Sequence, residues 1–267
     1  MGNQRVGGRQ LQQLQREMAP REVDVLQMVS ELRLVSGRQI LDVHFPTPPD
    51  GSRMSSERVA RRVLQRMVER RLLVRLERQV GGLRGGSESF IYAIGPVGQR
   101  LATRDGPRRR FREPSTTFAE HTLAVAELVV ALKTSARSGE VDLLDLQPEP
   151  TSWRRFQSGS GTGVLRPDLF VNLGVGAYEH RWFVEVDLGT EHLPALLRKC
   201  HVYQRYFQCG AEQKEHGVSP RVCWALPDVH RAQMLRKAID RDGALTHELF
   251  VCVDAGEVLP TVSGATS

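Results

Sequence analysis

The sequence predicts a mixed protein, with an α+β arrangement in its N-terminal part and an α/β sandwich in its C-terminal part. Its 267 residues, 40% of them hydrophobic, are enough for two folded domains. Residues 1–112 contain 22 Arg, no Lys and 11 acidic residues, a balance of +11, whereas the whole chain carries +6, which leaves −5 for the remainder. A basic part joined to an acidic part indicates two functional units, the first facing a polyanion and the second able to hold cations.

The two parts meet at residues 104–116, RDGPRRRFREPST, which combine proline, glycine and five arginines with little apolar content. This composition is typical of a linker rather than of a packed element. We therefore predict a first domain at 18–103, a basic linker at 104–116 and a second domain at 117–260.

The first domain begins with three predicted helices. Residues 20–35 have apolar side chains at helical spacing, and a short helix entered through Ser36 precedes the chain break FPTPPDG. In the third helix, SSERVARRVLQRMVERRLL, apolar Val59, Val63 and Met67 share one side. The opposite side carries arginines spaced by four: Arg58, Arg62, Arg66 and Arg70.

Two predicted strands follow, LLVRLERQV and SFIYAIG, joined by the glycine-rich segment GGLRGGSE that carries Arg84. Three helices followed by a hairpin resemble a winged helix-turn-helix, whose third helix enters the major groove while the wing touches backbone or minor groove. The resemblance implies that Arg58, Arg62 and Arg66 are groove residues and that Arg84 is a wing contact. An isolated arginine stripe is usually a solvated face, but the element order and the charge excess favour binding of double-stranded DNA.

The second domain opens with a predicted helix from Thr117, TFAEHTLAVAELVVALKTSA, which has a broad apolar face. Three β-rich runs follow, VDLLDLQ, VLRPDLFVNL and HRWFVEVDLG, and then the helix HLPALLRKCHVYQRYFQ, the strand RVCWALP, the helix VHRAQMLRKAID and the strand LFVCVDA. A helix, a three-strand meander, a helix and a further strand predict an α/β sandwich.

Acidic residues lie on two neighbouring strands of this predicted sandwich. Asp168 follows Pro167 on one strand, and Glu185 and Asp187 lie on the next, where alternation places them on one face. If the strands pair, the three carboxylates converge on a patch that suits Mg²⁺ or Mn²⁺, because these ions take oxygen ligands and neutralise charge on a phosphodiester. Without a cation, close carboxylates would repel one another or share a proton.

Pro167-Asp168 and Glu185-Val186-Asp187 resemble the signature of the PD-(D/E)xK nuclease superfamily, in which Pro-Asp is followed by Glu-x-Lys on the adjacent strand. Asp187 stands where that signature has lysine. The resemblance implies that Asp168 and Glu185 hold the metal, that Asp187 assists, and that Lys199 supplies the lysine from the following helix. Glu120 corresponds to an acidic residue that some members place near the metal.

A narrower resemblance covers almost the whole chain. The chain resembles the replication-relaxation family of plasmids and other mobile elements in five features. These are the winged helix, the arginine-rich connector and the segments PDLFVNL, FVEVDLGTE and LLRKCHVYQRYF. This resemblance implies a role in replication and mobilisation of plasmid DNA.

Other interpretations of the same residues stay open. A lone Pro-Asp often caps a turn or accepts backbone hydrogen bonds. Glu191 is interpreted as an acid at a helix N-terminus, with Thr190 as the cap. Lys199, Tyr203 and Tyr206 share a helical face, which is either catalytic or only an amphipathic edge. A relaxase would use one of the tyrosines as nucleophile, but the sequence shows no His-hydrophobic-His metal motif of the usual relaxase kind.

Two functional hypotheses result, and both include DNA binding. The first is a metal-dependent nuclease with Asp168, Glu185, Asp187 and Lys199 at its site. The second is a winged-helix regulator of transcription or replication, whose inactive nuclease-like domain serves for docking or as a homodimer contact. No apolar stretch is long enough to span a bilayer and no signal peptide is evident, so we expect a cytoplasmic protein without a membrane partner. The four cysteines have no metal-binding spacing and are expected to be buried free thiols.

Overall fold

The computed structural model describes residues 7–48, 51–76, 90–102, 115–159 and 161–264. Helices and strands are mixed along the chain, which confirms the predicted α+β class. The chain divides into two compact units, Met1–Val130 and Ala131–Ser267. Most of the predicted linker 104–116 lies outside the described residues, so the predicted domain limits stay a prediction. Among the described helices, none combines the length and apolar character needed to cross a bilayer.

The N-terminal unit contains short helices around a small antiparallel sheet of strand order β1-β3-β2. The three helices and the hairpin predicted from the sequence are α2, α3, α4, β2 and β3, whereas α1, β1 and α5 were not predicted. The elements are α1 (Gly8–Glu17), α2 (Pro20–Leu32), β1 (Leu34–Ser36), α3 (Gly37–His44), α4 (Arg53–Glu69), β2 (Leu73–Leu76), β3 (Ile91–Ile94), α5 (Pro96–Ala102) and the first part of α6 (Thr116–Ser138).

A local sequence signal explains where α3 begins. The Ser36 hydroxyl accepts a hydrogen bond from the Gln39 backbone N–H, and the Gln39 side chain accepts one from the Ser36 N–H, which together form a capping box for α3. The Gln39 amide group also donates to the Leu123 carbonyl at 3.0 Å and to the Glu127 carboxylate at 2.9 Å, both on α6. Gln39 therefore caps the N-terminus of α3 and also connects α3 to α6 by hydrogen bonds.

The apolar face predicted for α4 was partly wrong. The helix buries Ser56, Ala60, Leu64 and Met67, whereas Val59 is 43% exposed. Hydrophobicity favoured Val59, but the small side chains of Ser56 and Ala60 lie on the buried face of α4 together with Leu64 and Met67.

The C-terminal unit is built on a mixed five-stranded sheet of order β10-β9-β8-β7-β4. Strands β4, β7 and β8 form the predicted antiparallel meander, and β9 and β10 continue in parallel from β8. The elements are β4 (Asp142–Pro148), β5 (Arg154–Ser158), β6 (Gly161–Leu165), β7 (Leu169–Val175), β8 (Tyr178–Val186), α7 (Leu193–Cys209), α8 (Ala211–His216), β9 (Arg221–Leu226), α9 (Val229–Arg241), β10 (Phe250–Asp254) and α10 (Val258–Val262).

The run VLRPDLFVNL, predicted as one strand, is two strands in the structure. It divides at Pro167, which has no backbone N–H to donate to a ladder, so that β6 ends at Leu165 and β7 begins at Leu169. Strand β6 pairs instead with β5 in a separate two-stranded ribbon. Asp168 therefore immediately precedes the central strand β7 and does not lie within a strand.

The core of this unit lies where α7 and α9 pack on the sheet. Phe183, Trp224 and Phe250 are fully buried there, and the Tyr203 ring of α7 lies 5.8 Å from the Phe183 ring. Helix α7, which follows β8 in the chain, is thereby fixed against the strand that carries Glu185.

Candidate functional site

Glu185 lies near the end of β8, with only 3% of its surface exposed. The Tyr203 hydroxyl donates a 2.5 Å hydrogen bond to one carboxylate oxygen, and the Lys199 ammonium lies 3.5 Å from the other. Lys199 and Tyr203 are one helical turn apart on α7, so both side chains reach the same carboxylate. The structure therefore brings the predicted helix lysine to Glu185.

Asp168 is the second carboxylate of this site. The antiparallel register pairs Leu169 with Val184, which sets Asp168 opposite Glu185. One Asp168 oxygen accepts a 2.8 Å hydrogen bond from the Val186 backbone N–H. The cap-like interpretation of Asp168 is thus partly correct, but the backbone group that it accepts from belongs to the neighbouring strand.

The surroundings of Glu185 shift its protonation equilibrium. Burial first, and then the nearby Asp168 carboxylate, raise the pKa of Glu185 above its ordinary value of 4.5. Lys199 and the Tyr203 hydroxyl act in the opposite direction but do not outweigh burial. Burial lowers the pKa of Lys199, but Glu185 and Glu191 overcome this and raise it above its ordinary value, so the side chain stays an ammonium ion.

Asp187 has different partners from the other two acids. One oxygen accepts a 3.0 Å hydrogen bond from the Gly189 N–H, and the other is paired with the Arg231 guanidinium of α9. Arg231 also donates to the Glu191 carbonyl at 2.5 Å. No motif or spacing marked Arg231 in the sequence, because it is 44 residues from Asp187 and had no place in the predicted site.

The expected convergence of three carboxylates is not reproduced as a three-ligand cluster. In the described ranges, no group of three His, Cys, Asp or Glu side chains is placed to hold a metal ion. Two carboxylates are within the number of protein ligands that Mg²⁺ often takes, so Asp168 and Glu185 are the residues that would hold a Mg²⁺ or Mn²⁺ ion at this site. Their mutual repulsion, which contributes to the raised pKa of Glu185, would be relieved by such a cation.

Glu191 and Thr190 differ from their predicted roles. The Glu191 carboxylate lies 3.1 Å from the Lys199 ammonium, so it holds the lysine in place at the edge of the site. Helix α7 is preceded by His192 as its capping residue and has Pro194 in its first turn, so Thr190 is not the cap. The chain between β8 and α7 is thus longer than the sequence pattern indicated.

The two tyrosines of α7 belong to different clusters. Tyr203 is 2% exposed, and burial followed by the Glu185 carboxylate raises its pKa well above 10.0. The Tyr206 hydroxyl donates to Glu212 at 2.7 Å, and Arg154 and Arg181 pair with the same buried carboxylate. Tyr206 therefore contributes to a core network and not to the Glu185 site.

The N-terminal unit presents basic side chains on α4. Arg58 and Arg62 are exposed, as predicted, and Arg61 beside them is also exposed although it lies outside the predicted stripe. Arg66 is different, because its guanidinium lies 2.9 Å from the buried Glu22 carboxylate of α2. Arg84, the predicted wing contact, lies outside the described residues. Glu120 is exposed on the part of α6 that belongs to the N-terminal unit.

Comparison with known proteins identifies a family. The sequence model of a family described as replication-relaxation matches residues 26–222, a range that begins within α2 and includes α3, α4, β2, β3 and the residues Asp168 and Glu185. No curated protein and no solved structure matches the chain.

Proposed function

The chain belongs to the replication-relaxation family, and we propose that it is a DNA-binding protein that nicks or cleaves DNA with a metal-dependent site in its C-terminal unit. Family membership indicates a role in the replication of a plasmid or other mobile element. The single observation that carries the nuclease proposal is the 3.5 Å approach of Lys199 to Glu185, beside Asp168.

DNA binding is assigned to the N-terminal unit. Its helices and antiparallel strands follow the order of a winged helix-turn-helix, with α4 as the helix that enters the major groove. Arg58, Arg61 and Arg62 project from the exposed side of α4 and are suited to phosphate and base-edge contacts. Arg66 stabilises the helix against α2 and is not a primary DNA contact.

The chemistry is assigned to Asp168, Glu185 and Lys199. The two carboxylates would hold the cation, which when bound would supply charge neutralisation and an oriented water. In hydrolysis the water oxygen forms a bond to phosphorus and gives up one proton to solvent, while the P–O bond to the leaving oxygen breaks and that oxygen takes up one proton from solvent. The Lys199 ammonium, held by Glu185 and Glu191, stabilises negative charge on the phosphate as this occurs. Asp187 has a positioning role through Arg231 rather than a ligand role.

A nicking assay tests this proposal. Supercoiled plasmid from the chain's own element is incubated with the full chain and Mg²⁺, Mn²⁺ or chelator, and Mn²⁺ binding is measured separately by calorimetry. We expect metal-dependent nicking that is lost in Asp168→Ala and Glu185→Ala, together with loss of Mn²⁺ binding and retention of plasmid binding. Glu215→Ala, at an exposed acid of α8, is the matched control. Plasmid binding without nicking or Mn²⁺ binding in the wild type would reject the nuclease.

That negative outcome would favour the second candidate, a non-catalytic regulator whose C-terminal unit serves for docking or dimerisation. Two observations favour this regulator. Arg231 neutralises the charge of Asp187, and the described residues contain no three-ligand metal cluster. Tyrosine nucleophile chemistry is disfavoured, since Tyr203 is buried and its hydroxyl is engaged by Glu185. A covalent DNA adduct that disappears in Tyr203→Phe would reverse this ranking.

A further inference from the structure

We propose that the outward face of the β5–β6 ribbon binds a single strand of DNA and leads it to the Asp168–Glu185 site. This inference rests on the proposed function, because it assigns that site a second DNA contact besides α4. The ribbon was not predicted from the sequence as a separate element, and the nuclease proposal does not use it.

The ribbon has one face toward the core and one toward solvent. Antiparallel pairing sets Arg155 opposite Val164 and Gln157 opposite Thr162, and these four side chains are exposed. Trp153 and Arg166 continue the same face by alternation, with the Arg166 guanidinium 5.0 Å from the centre of the Trp153 ring. The outward face therefore combines an aromatic ring with two arginines.

The charge of this segment is of one sign. Residues 153–166 contain three arginines and no acidic residue, although the chain from 113 onward carries a net −5. Arg154 faces inward and pairs with Glu212, so Arg155 and Arg166 supply the outward positive charge. At the tip of the ribbon, a cleft of about 460 Å³ lined by Gln157, Ser158 and Gly159 extends the basic surface to Arg205 of α7. A positive surface of this kind is complementary to a polyanion.

The inward face fixes the ribbon in place. Phe156 and Leu165 are buried, and the Phe156 ring lies 5.3 Å from the Tyr206 ring of α7. At the base of the ribbon, the fully buried Ser152 hydroxyl donates a 2.6 Å hydrogen bond to the Pro167 carbonyl. The Glu149 N–H donates to the Asp168 carbonyl at 3.1 Å. Both ends of the ribbon are thus anchored to the segment that carries Asp168, and this anchoring connects the outward face with the proposed Asp168–Glu185 site.

A single strand fits this face better than a duplex does. Stacked base pairs hide their flat faces, whereas unpaired bases can stack on an exposed aromatic ring while arginines contact the phosphates. Trp153 is 37% exposed, in contrast to Trp182 and Trp224, which are 4% and 0% exposed. A ring shared between Arg166 and solvent is suited to stacking, and duplex binding would leave this ring without a base to contact.

The first test measures affinity of the full chain for an oligo(dT) of about 16 nucleotides, the upper site size of a small single-strand-binding fold. Trp153→Ala should weaken binding about five- to hundredfold, the effect of removing one base stack. Arg155→Ala with Arg166→Ala should reduce the slope of log affinity against log salt by about 0.7 for each phosphate that the arginines no longer neutralise. Tyr178→Leu and Arg241→Ala, at other exposed sites of this unit, are the matched controls.

Tryptophan fluorescence gives an independent readout, because Trp153 is the exposed one of the chain's three tryptophans. Stacking on a base should quench a solvent-exposed emission component in the wild type. Trp153→Phe should remove this signal but retain affinity within about threefold, since phenylalanine can also stack. Arg155→Lys with Arg166→Lys should keep the salt slope, which separates removal of charge from a disturbed fold.

The outcomes distinguish this inference from the proposed function. Weaker oligo(dT) binding by the ribbon variants, with unchanged duplex binding, supports the assignment of the ribbon as a single-strand-binding surface. Unchanged oligo(dT) affinity in the ribbon variants, or no oligo(dT) binding by the wild type, overturns it even when duplex binding and nicking persist. An equal loss of duplex affinity assigns the ribbon to duplex DNA and also overturns it. Absence of all DNA binding and nicking in the wild type rejects both proposals.

Discussion

The Lys199 ammonium lies 3.5 Å from the Glu185 carboxylate, although the two residues belong to different elements and are 14 residues apart in the chain. The strand position that carries lysine in the Glu-x-Lys pattern is occupied by Asp187, which pairs with Arg231. The positive charge at the site therefore comes from Lys199 on helix α7 and not from the strand that carries Glu185. This arrangement separates the proposed chemical role of Lys199 from the positioning role of Asp187.

Replacing Lys199 should reduce the rate of nicking more than the affinity for metal. Lys199→Ala removes a donor aimed at the phosphate, and loss of one such donor typically costs about 10²–10³ in rate. The proposed Mn²⁺ ligands Asp168 and Glu185 are unchanged, so the calorimetric affinity should fall much less than the rate. Lys214→Ala, at an exposed lysine of α8, is the control. A nicking rate equal to that of the wild type would show that Lys199 has no part in the reaction.

Arg58 and Arg62 should differ from Arg66 in what their removal changes. Arg58→Ala with Arg62→Ala should reduce the salt slope of duplex binding by about 0.9 for each phosphate left without its arginine, with little change in stability. Arg66→Ala should instead lower the free energy of unfolding by about 1–3 kcal/mol, because the Glu22 carboxylate is left buried without its partner. Urea denaturation and binding titrations at several salt concentrations measure both effects. A larger change of salt slope for Arg66→Ala than for the double variant would contradict the assignment.

The Asp187–Arg231 pair should contribute mainly to stability. Arg231→Ala leaves the Asp187 carboxylate, 2% exposed, without its cation and should cost up to about 3–5 kcal/mol. Asp187→Asn in the same chain should recover part of that loss, because a neutral amide is less costly to bury than an unpaired carboxylate. A double-mutant cycle by chemical denaturation gives the coupling energy. If Asp187→Asn abolishes Mn²⁺ binding while the fold remains stable, Asp187 is a metal ligand after all.

Glu185 should make stability depend on pH in the metal-free protein. Its folded-state pKa lies above the ordinary value of 4.5, first because of burial, so the folded protein holds the proton more tightly than the unfolded chain. The resulting stabilisation is present in full below pH 4.5 and is lost as the pH rises through the folded-state pKa. Glu185→Gln removes this loss, so its stability relative to the wild type should increase from acidic pH to above neutrality.

Denaturation of both proteins in chelator, across that pH range, checks this expectation. A stability difference that does not change with pH would mean that Glu185 has an ordinary pKa. Added Mn²⁺ should stabilise the wild type at the higher pH values and leave Glu185→Gln nearly unaffected, because metal binding requires the ionised carboxylate.

Most elements of the fold could be predicted because their periodicity is local. Helices α2 and α6 were identified from the spacing of their apolar side chains, and strand β8 from its run of β-favouring residues. At the site, strand pairing predicted Asp168 beside Glu185, and the family resemblance added Lys199 from the following helix. Pairs between distant parts of the chain, such as Asp187 with Arg231 or Arg66 with Glu22, have no sequence spacing that marks them, and tertiary packing alone decided them.

The position of helix α6 determines where the protein can be cut into separate domains. It runs from Thr116 to Ser138, while the division between the two compact units falls between Val130 and Ala131. Truncation after residue 112, in the predicted linker, would delete both acceptors of the buried Gln39 amide and cost about 1–3 kcal/mol. A recombinant N-terminal fragment should therefore extend through Ser138. Evolution by exchange of whole domains would likewise have to carry α6 along with the three helices and the hairpin, which makes the helix part of the inherited N-terminal module rather than a replaceable spacer.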